Sequence, residues 1–270
     1  MTCSVLMSVY KAENPQFLQQ AIESIYHNQT LKPSQVVIVK DGSLPAQLEE
    51  VLDRYQSELQ ETLTMVSLPK NVGLGAALNA GLAHCRYELV ARMDTDDIAM
   101  PERFAKQVKF MQQNPNVIAC SGVIEEWDSA FTEQLGSRKL PLEHNDIVKF
   151  AKSRSPLNHP AAMFRKAAVV EVGGYPPLRK AQDYALWSLL IVNGAQLANL
   201  PSVLLKMRSG DEMMGRRGLD YFKYEFQLLQ FQKQIGFLSR FAFIKNIIVK
   251  FILRVSPLFI KRIAYKLLRH

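Results

Sequence analysis

The stretch "YELVARMDTDD", Tyr87 to Asp97, joins a short apolar run to three carboxylates within four positions, Asp94, Asp96 and Asp97. A run that apolar, with β-branched character and turn chemistry after it, reads as a buried strand. The acids then fall at its carboxyl end. Like charges crowded there repel each other unless a cation sits among them. The reading of this stretch as strand then acidic loop decides the fold, because the same punctuation recurs upstream. "CSVLMSVY" (3–10), "QVVIVK" (35–40) and "LTMVSL" (63–68) are further buried strands. Between them lie helical patterns. Asn14 and Pro15 suit an N-cap and first helical position before Phe17, Ala21, Ile22 and Ile25. A polar helix fits 46–60, and the Ala/Leu-rich "GLGAALNAGLAHC" fits another. Strands alternating with helices of this length predict an α/β chain with a mainly parallel central sheet. After Pro101 a helix is expected over 102–113, a strand near 117–124, a loop entering a strand over 156–164, and a helix over 181–194.

In open parallel sheets, ligands bind beyond the carboxyl ends of the strands. Ser8, Tyr10 and Glu13 follow the first strand there, Asp41 and Ser43 the second, and the aspartates at 94, 96 and 97 the fourth. Carboxylates on such a rim suit Mg²⁺ or Mn²⁺, hard ions that share their shell with phosphate oxygens. A plainer reading makes Asp96 and Asp97 caps of the 102–113 helix. Dinucleotide binding is disfavoured: it needs a G-x-G-x-x-G turn after the first strand, where "YKAENP" stands instead, and "GLGAAL" (73–78) lacks the third glycine.

The chain resembles the inverting family 2 glycosyltransferases of GT-A fold. The pieces "SVLMSVYKAEN", "VVIVKDGS", "NVGLGAALNAGL", "ELVARMDTDDIAMPERF" and "QDYALW" occur in order over about residues 3–190. With "NHPAAMFRK" and "GGYPPLRKAQDYALW", they are similar to the bacterial branch that builds O-antigen, colanic-acid and amylovoran-type polysaccharides. The resemblance implies a UDP-sugar donor bound by Ser8, Tyr10, Glu13, Asp41, Gly73, Asn79, Arg92 and Asp94, with Mn²⁺ or Mg²⁺ held by Asp94 and Asp96. It implies that Asp183 is the general base; His159 and Trp187 are the candidates for the acceptor side. The pattern departs at Lys40 and Gln182, where the family often carries acids. Read as residues alone, Asp183 equally suits a helix N-terminal acid, His159 a structural hydrogen-bonding group and Trp187 a core aromatic. Arg92, Arg179 and Lys180 could face phosphates or be ordinary solvated charges.

The net charge of +8 is confined to the tail. Residues 236–270 hold eight basic groups and no acid, so residues 1–235 are neutral, with 25 of each sign. In a helix, Arg240, Lys250 and Arg254 would fall within about 80° of one another, with Lys245 apart. Beyond Pro257, Lys261, Arg262, Lys266 and Arg269 would fall within about 140°. Such helices lie in a membrane interface with bases on anionic headgroups; packing against the catalytic domain is the alternative. No apolar run approaches the ~20 residues that span a bilayer. No nucleic-acid recognition motif accompanies the charge. Three widely spaced cysteines suit a reducing compartment, and no signal peptide is expected at "MTCSVLMSVY".

The expectation is therefore a GT-A domain over 1–235, with its nucleotide part at 1–100 and its acceptor part at 101–235, and a membrane-associating tail at 236–270. Its partners would be a UDP-sugar, a lipid-linked saccharide acceptor and an anionic membrane surface, at the cytoplasmic face of the bacterial inner membrane. The transferred sugar would be galactose or glucose, moved to GlcNAc-diphosphate-undecaprenol in a β-1,3 linkage. Two other classes compete. A sugar-nucleotide nucleotidyltransferase would need a Gly-rich, Arg-bearing loop after strand one. A non-catalytic membrane scaffold would release no UDP.

Overall fold

The structure, a computed structural model, describes residues 2–209 and 219–255. The first part of the chain alternates as expected: β1 (Cys3–Val9), α1 (Pro15–Ile25), β2 (Gln35–Asp41), α2 (Ala46–Leu59), β3 (Leu63–Leu68), α3 (Leu74–His84) and β4 (Leu89–Arg92). These four strands are parallel, in the order β3-β2-β1-β4. Their residues are apolar on both faces because helices cover both. Val5, Met7, Val36 and Ile38 enter the core under α1 and α2, whereas Leu6, Val37 and Val39 enter the core under α3. Each such side chain contributes roughly 1.5–3 kcal/mol on full burial. Asn14 caps α1, its Oδ1 accepting from the amides of Gln16 (2.8 Å) and Phe17 (3.3 Å).

The sheet then becomes mixed. β5 (Ile98–Ala99) and α4 (Arg103–Gln113) lead into β6 (Val117–Trp127), β7 (Gln134–Arg138), α5 (His144–Ala151), β8 (Met163–Arg165), α6 (Lys166–Glu171), α7 (Gln182–Val192) and β9 (Gln196–Arg208). β8 is antiparallel to β4 and to β6, and so stitches the parallel half to the long parallel pair β6–β9. The pairing of β5 with the end of β9 closes the far edge. Ile98 lies opposite Lys206, which brings the acidic loop of β4–β5 beside the last residues of β9.

Two helices complete the described chain, α8 (Leu219–Gln234) and α9 (Arg240–Val255). α9 does not stand apart from the body. Phe237 and Leu238 share a small core with Ala151 of α5 and Leu229 of α8, and Phe243 and Ile247 pack against it. The expected disposition of its charges is corrected here. Lys250 (3.2 Å) and Arg254 (2.8 Å) turn inward to the carboxylate of Glu225 on α8. The outward stripe is apolar: Phe241 (79% exposed), Ile244, Ile248 and Ile252 fall within about 80°. Arg240 and Lys245 are exposed. The bases expected beyond Pro257, at 261, 262, 266 and 269, lie outside the described residues. No helix among the described residues is long and apolar enough to cross a membrane.

Candidate active site

The rim at the carboxyl ends of β1, β2 and β4 gathers the polar residues singled out in the sequence. Glu13 is turned back toward β1, its amide donating to the Tyr10 carbonyl (3.1 Å). There it meets the β4–β5 loop. Burial pushes the Glu13 carboxyl up to about 7, against a hydrogen bond from Thr95, and the charges of Asp96 and Asp94 push the same way. Asp96 is raised by burial and by Asp94. Asp97 is raised further, by burial and by both neighbours, and its Oδ1 accepts the Arg208 amide (3.1 Å). The helix-capping alternative for these acids does not hold, because α4 has no side-chain cap.

Several residues expected to contact the donor are engaged in bracing the rim. Arg92 is 1% exposed and ion-pairs with Asp94, so it does not present its guanidinium to a phosphate. It also donates to the Leu6 carbonyl (3.4 Å), and its Nε has no hydrogen-bond partner among the described residues. Asn79 is committed at both ends: its Nδ2 donates to the Tyr175 carbonyl (2.9 Å) and its Oδ1 accepts the Tyr175 amide (2.7 Å). Gly174 must be glycine to admit it, with φ of +78° and a would-be Cβ only 2.4 Å from that Oδ1. Asp41, buried, accepts the Val72 amide on Oδ1 (2.7 Å) and the Gly73 amide on Oδ2 (3.1 Å), fixing the entry to α3. The Gly73 amide is thereby spent on Asp41. Asp41→Ala is expected to lower stability by about 1–2 kcal/mol in urea unfolding, as a lost N-terminal helix anchor does.

Asp183 is the second residue of α7. The residue before the helix, Ala181, has φ of +57°, a left-handed conformation that a side chain seldom adopts. Buried Gln182 packs on Gly75 in the first turn of α3, where a Cβ would stand 3.2 Å from its Cγ. The two helix starts therefore abut, and the acidic loop is close enough to act on Asp183. Burial raises the Asp183 carboxyl, first-turn amides oppose the rise, Asp94 adds to it and Arg138 of β7 lowers it. Tyr175 is the meeting point: burial raises its phenol, and the charges of Asp183 and Asp94 add to the rise. Its hydroxyl lies 3.0 Å from His159 Nε2.

On the acceptor side the plain readings win. His159 is 8% exposed and burial, then Arg92, holds it neutral, well below its ordinary value. Trp187 is fully buried, with its ring against His159 (6.2 Å) and Phe164 (6.5 Å), so it offers no platform for a sugar. Its role is core packing, as its position on the inner face of α7 dictates. Arg179 and Lys180 are solvent-exposed. Tyr175, Thr95, Arg138 and Arg208 were not singled out in the sequence. Only the glycine pair before Tyr175 hinted that a backbone had to come close there.

Asp94 and Asp96 fit a divalent ion by chemistry: two hard carboxylates, mutually repulsive, at a rim. Among the described residues no group of three or more His, Cys, Asp or Glu is placed to hold a metal. An ion taken by two carboxylates would draw its remaining ligands from substrate phosphates and water.

A mixed α/β sheet with an acidic loop at the rim and a lone carboxylate opposite it is the plan of a sugar-nucleotide-dependent transferase. Residues 4–173 match glycosyl transferase family 2, and the chain belongs to that family. The amylovoran biosynthesis glycosyltransferase AmsE of Erwinia amylovora is 40% identical over 97% of each chain. The UDP-Gal:alpha-D-GlcNAc-diphosphoundecaprenol beta-1,3-galactosyltransferase of Escherichia coli is 38% identical over 97% of this chain and 94% of its own. In three dimensions the chain is similar to the mannosyltransferase PcManGT of Pyrobaculum calidifontis, solved with GDP-Man and Mn2+, at TM-score 0.63 and 18% identity over 95% of this chain and 71% of that one. The protein is a glycosyltransferase with the GT-A fold.

Proposed function

We propose that the protein transfers a hexose, galactose or glucose, with inversion, from a UDP-sugar to GlcNAc-diphosphate-undecaprenol, forming a β-1,3 linkage in O-antigen or surface polysaccharide synthesis. The observation that carries this reading is the abutment of the first turns of α3 and α7, Gln182 on Gly75, which sets Asp183 beside the rim that holds the acidic loop. The 38% identical galactosyltransferase supports the donor and acceptor.

In this reading Ser8, Tyr10, Glu13 and Asp41 line the nucleoside side, and residues 101–235 receive the acceptor. Asp183 takes the proton of the acceptor hydroxyl as that oxygen bonds the anomeric carbon. The bond from that carbon to the diphosphate oxygen breaks on the opposite face, and UDP leaves. Asp94 and Asp96 would hold Mn²⁺ or Mg²⁺, and such an ion would supply charge neutralisation for the departing diphosphate. Arg92 aims Asp94 through their ion pair, and nothing in the scheme calls for nucleic acid.

The enzyme works as a peripheral protein at the cytoplasmic face of the inner membrane, where such an acceptor is presented. Support comes from the apolar outer stripe of α9, which suits the acyl boundary of a bilayer better than water. With Lys250 and Arg254 engaged by Glu225, Arg240 and Lys245 are the exposed bases of α9, and in this reading insertion of its apolar outer stripe carries the contact. Binding to vesicles is therefore expected to survive about 0.5 M NaCl, where surface electrostatics are screened. Paired Phe241→Glu and Ile248→Glu changes should abolish it in flotation assays. Release by salt, with no effect of the paired changes, would return the contact to the bases.

The decisive test of the reaction is a screen of radiolabelled UDP-sugars against synthetic GlcNAc-diphosphate-lipid, with and without EDTA. Transfer from UDP-galactose or UDP-glucose, lost on chelation, is the expected result. No transfer to that acceptor from any UDP-sugar would remove the proposal.

A further inference from the structure

Arg208, the last residue of β9, sits where four segments of the chain converge, and the catalytic scheme so far makes no use of it. Its guanidinium is slotted between two aromatic rings, with its central carbon 3.7 Å from the centroid of Phe17 on α1 and 4.2 Å from that of Phe131 in the β6–β7 connection. Its Nε donates to the Ser129 carbonyl (2.9 Å). One terminal nitrogen donates to Gln20 Oε1 on α1, and the other donates to the main-chain carbonyl of Asp96. Its own amide donates to Asp97 Oδ1. The planar fork and its two stacked faces are thus used together, which only an arginine can do.

The surroundings are built to hold it. Phe131 has φ of +57°, costly for a bulky side chain, and is kept there by its amide N–H donating to the Asp128 carbonyl (3.1 Å). Asp128 in turn accepts the amides of Thr132 (2.7 Å) and Glu133 (3.0 Å). The Ser209 amide donates to the Trp127 carbonyl (2.7 Å), so the strand end that carries Arg208 is itself fixed. The grip on Asp96 is on its carbonyl, not its carboxylate. Arg208 therefore sets the course of the acidic loop while its cation partly offsets the Asp96 and Asp97 charges.

We propose that Arg208 is a positioning residue that holds the 94–97 loop in the shape that binds the nucleotide diphosphate with its divalent ion. The inference rests on the donor-site reading above. A residue that acts through ligand-bearing side chains changes metal-linked affinity by roughly 10–100-fold when altered. The test is calorimetric titration of UDP into the full chain, with Mn²⁺ and again with chelator. In the wild type, Mn²⁺ is expected to strengthen UDP binding. In Arg208→Lys, which keeps the charge but loses the fork and the stacking, that Mn²⁺-linked gain should shrink by about tenfold or more. Binding measured with chelator should change little. A merely structural role would lower the melting temperature of Arg208→Lys and leave the Mn²⁺-linked gain intact, and that result overturns the proposal. Should Arg208→Lys fail to fold, Phe131→Leu removes one of the two stacked faces and leaves the arginine. It should reduce the same gain about threefold, between the wild type and the full effect, and an unchanged gain overturns the proposal. A wild type whose UDP binding ignores Mn²⁺ would instead refute the donor-site reading itself.

Discussion

Asp183→Asn is expected to reduce turnover on the order of 10³-fold while Mn²⁺-dependent UDP binding stays within about twofold of wild type, since a positioned general base contributes 10²–10⁴ and takes no part in holding the nucleotide. The asparagine keeps the size and the neighbours of the original side chain, so Gln182 still packs on Gly75 and the two helix starts still abut. Two further readouts separate a lost base from a disturbed fold. The first is the pH profile. Burial and Asp94 raise the Asp183 carboxyl, so wild-type turnover should climb with pH along a limb placed above the ordinary carboxylate range. The variant's residual rate should lack that limb. The second is stability. A carboxyl whose pKa is raised by folding is disfavoured in its ionised form, so its cost is absent below its unfolded pKa and complete above its folded one. Near neutral pH the asparagine variant should therefore unfold at a higher urea concentration than the wild type. A less stable variant with unchanged turnover would strip Asp183 of its role.

How far the sequence carried depended on whether a residue's partner was local. β1 to β4 were legible because their apolar runs need two covered faces, and α1 because Asn14 and Pro15 act within one turn. β9 was not: Pro201 and several register shifts against β6 break any alternation along "QLANLPSVLLKMR", and its pairing is set by a strand about 80 residues earlier. β7 and α8 likewise carry too little periodic signal to stand out, and α5, though amphipathic, is only eight residues long. In the site, the acidic loop was marked by its position at the end of a strand, whereas Asp183 was drawn only from family resemblance, since its place at a helix start equally suits a plain N-terminal acid. For Gly73, Asn79 and Arg92, expected at the donor, the structure shows protein partners that the sequence did not announce. Asn79 meets a backbone 96 residues away, and Arg92 meets a carboxylate two residues on, and sequence position alone does not say which way a side chain points. α9 failed in the same way. Its helical wheel is apolar nearly all round, and only Glu225 on an unforeseen helix decides that two of its bases face inward.

The two acids of the loop should respond to removal in opposite senses, although both are assigned to the metal. Asp96→Asn is expected to weaken Mn²⁺-linked UDP binding at least about 100-fold, the upper end for a damaged metal site, and to leave no measurable transfer. Its stability should rise, because the carboxylate is penalised by burial and by Asp94, and its loss also relieves Asp97. Asp94→Asn should lose binding as well, but its stability should fall by up to about 3 kcal/mol. Removing that carboxylate leaves the Arg92 guanidinium, 1% exposed, with a charge that nothing else offsets so closely. Urea unfolding in EDTA, paired with UDP titration in Mn²⁺, reads both effects on the same samples. The loop is then a place where one acid is ion-paired to a buried cation, while the other, only partly offset by Arg208, is kept at the expense of fold stability. A stabilised Asp94→Asn, or a destabilised Asp96→Asn, would show that the charges in this loop are balanced by some other arrangement than the Arg92–Asp94 pair.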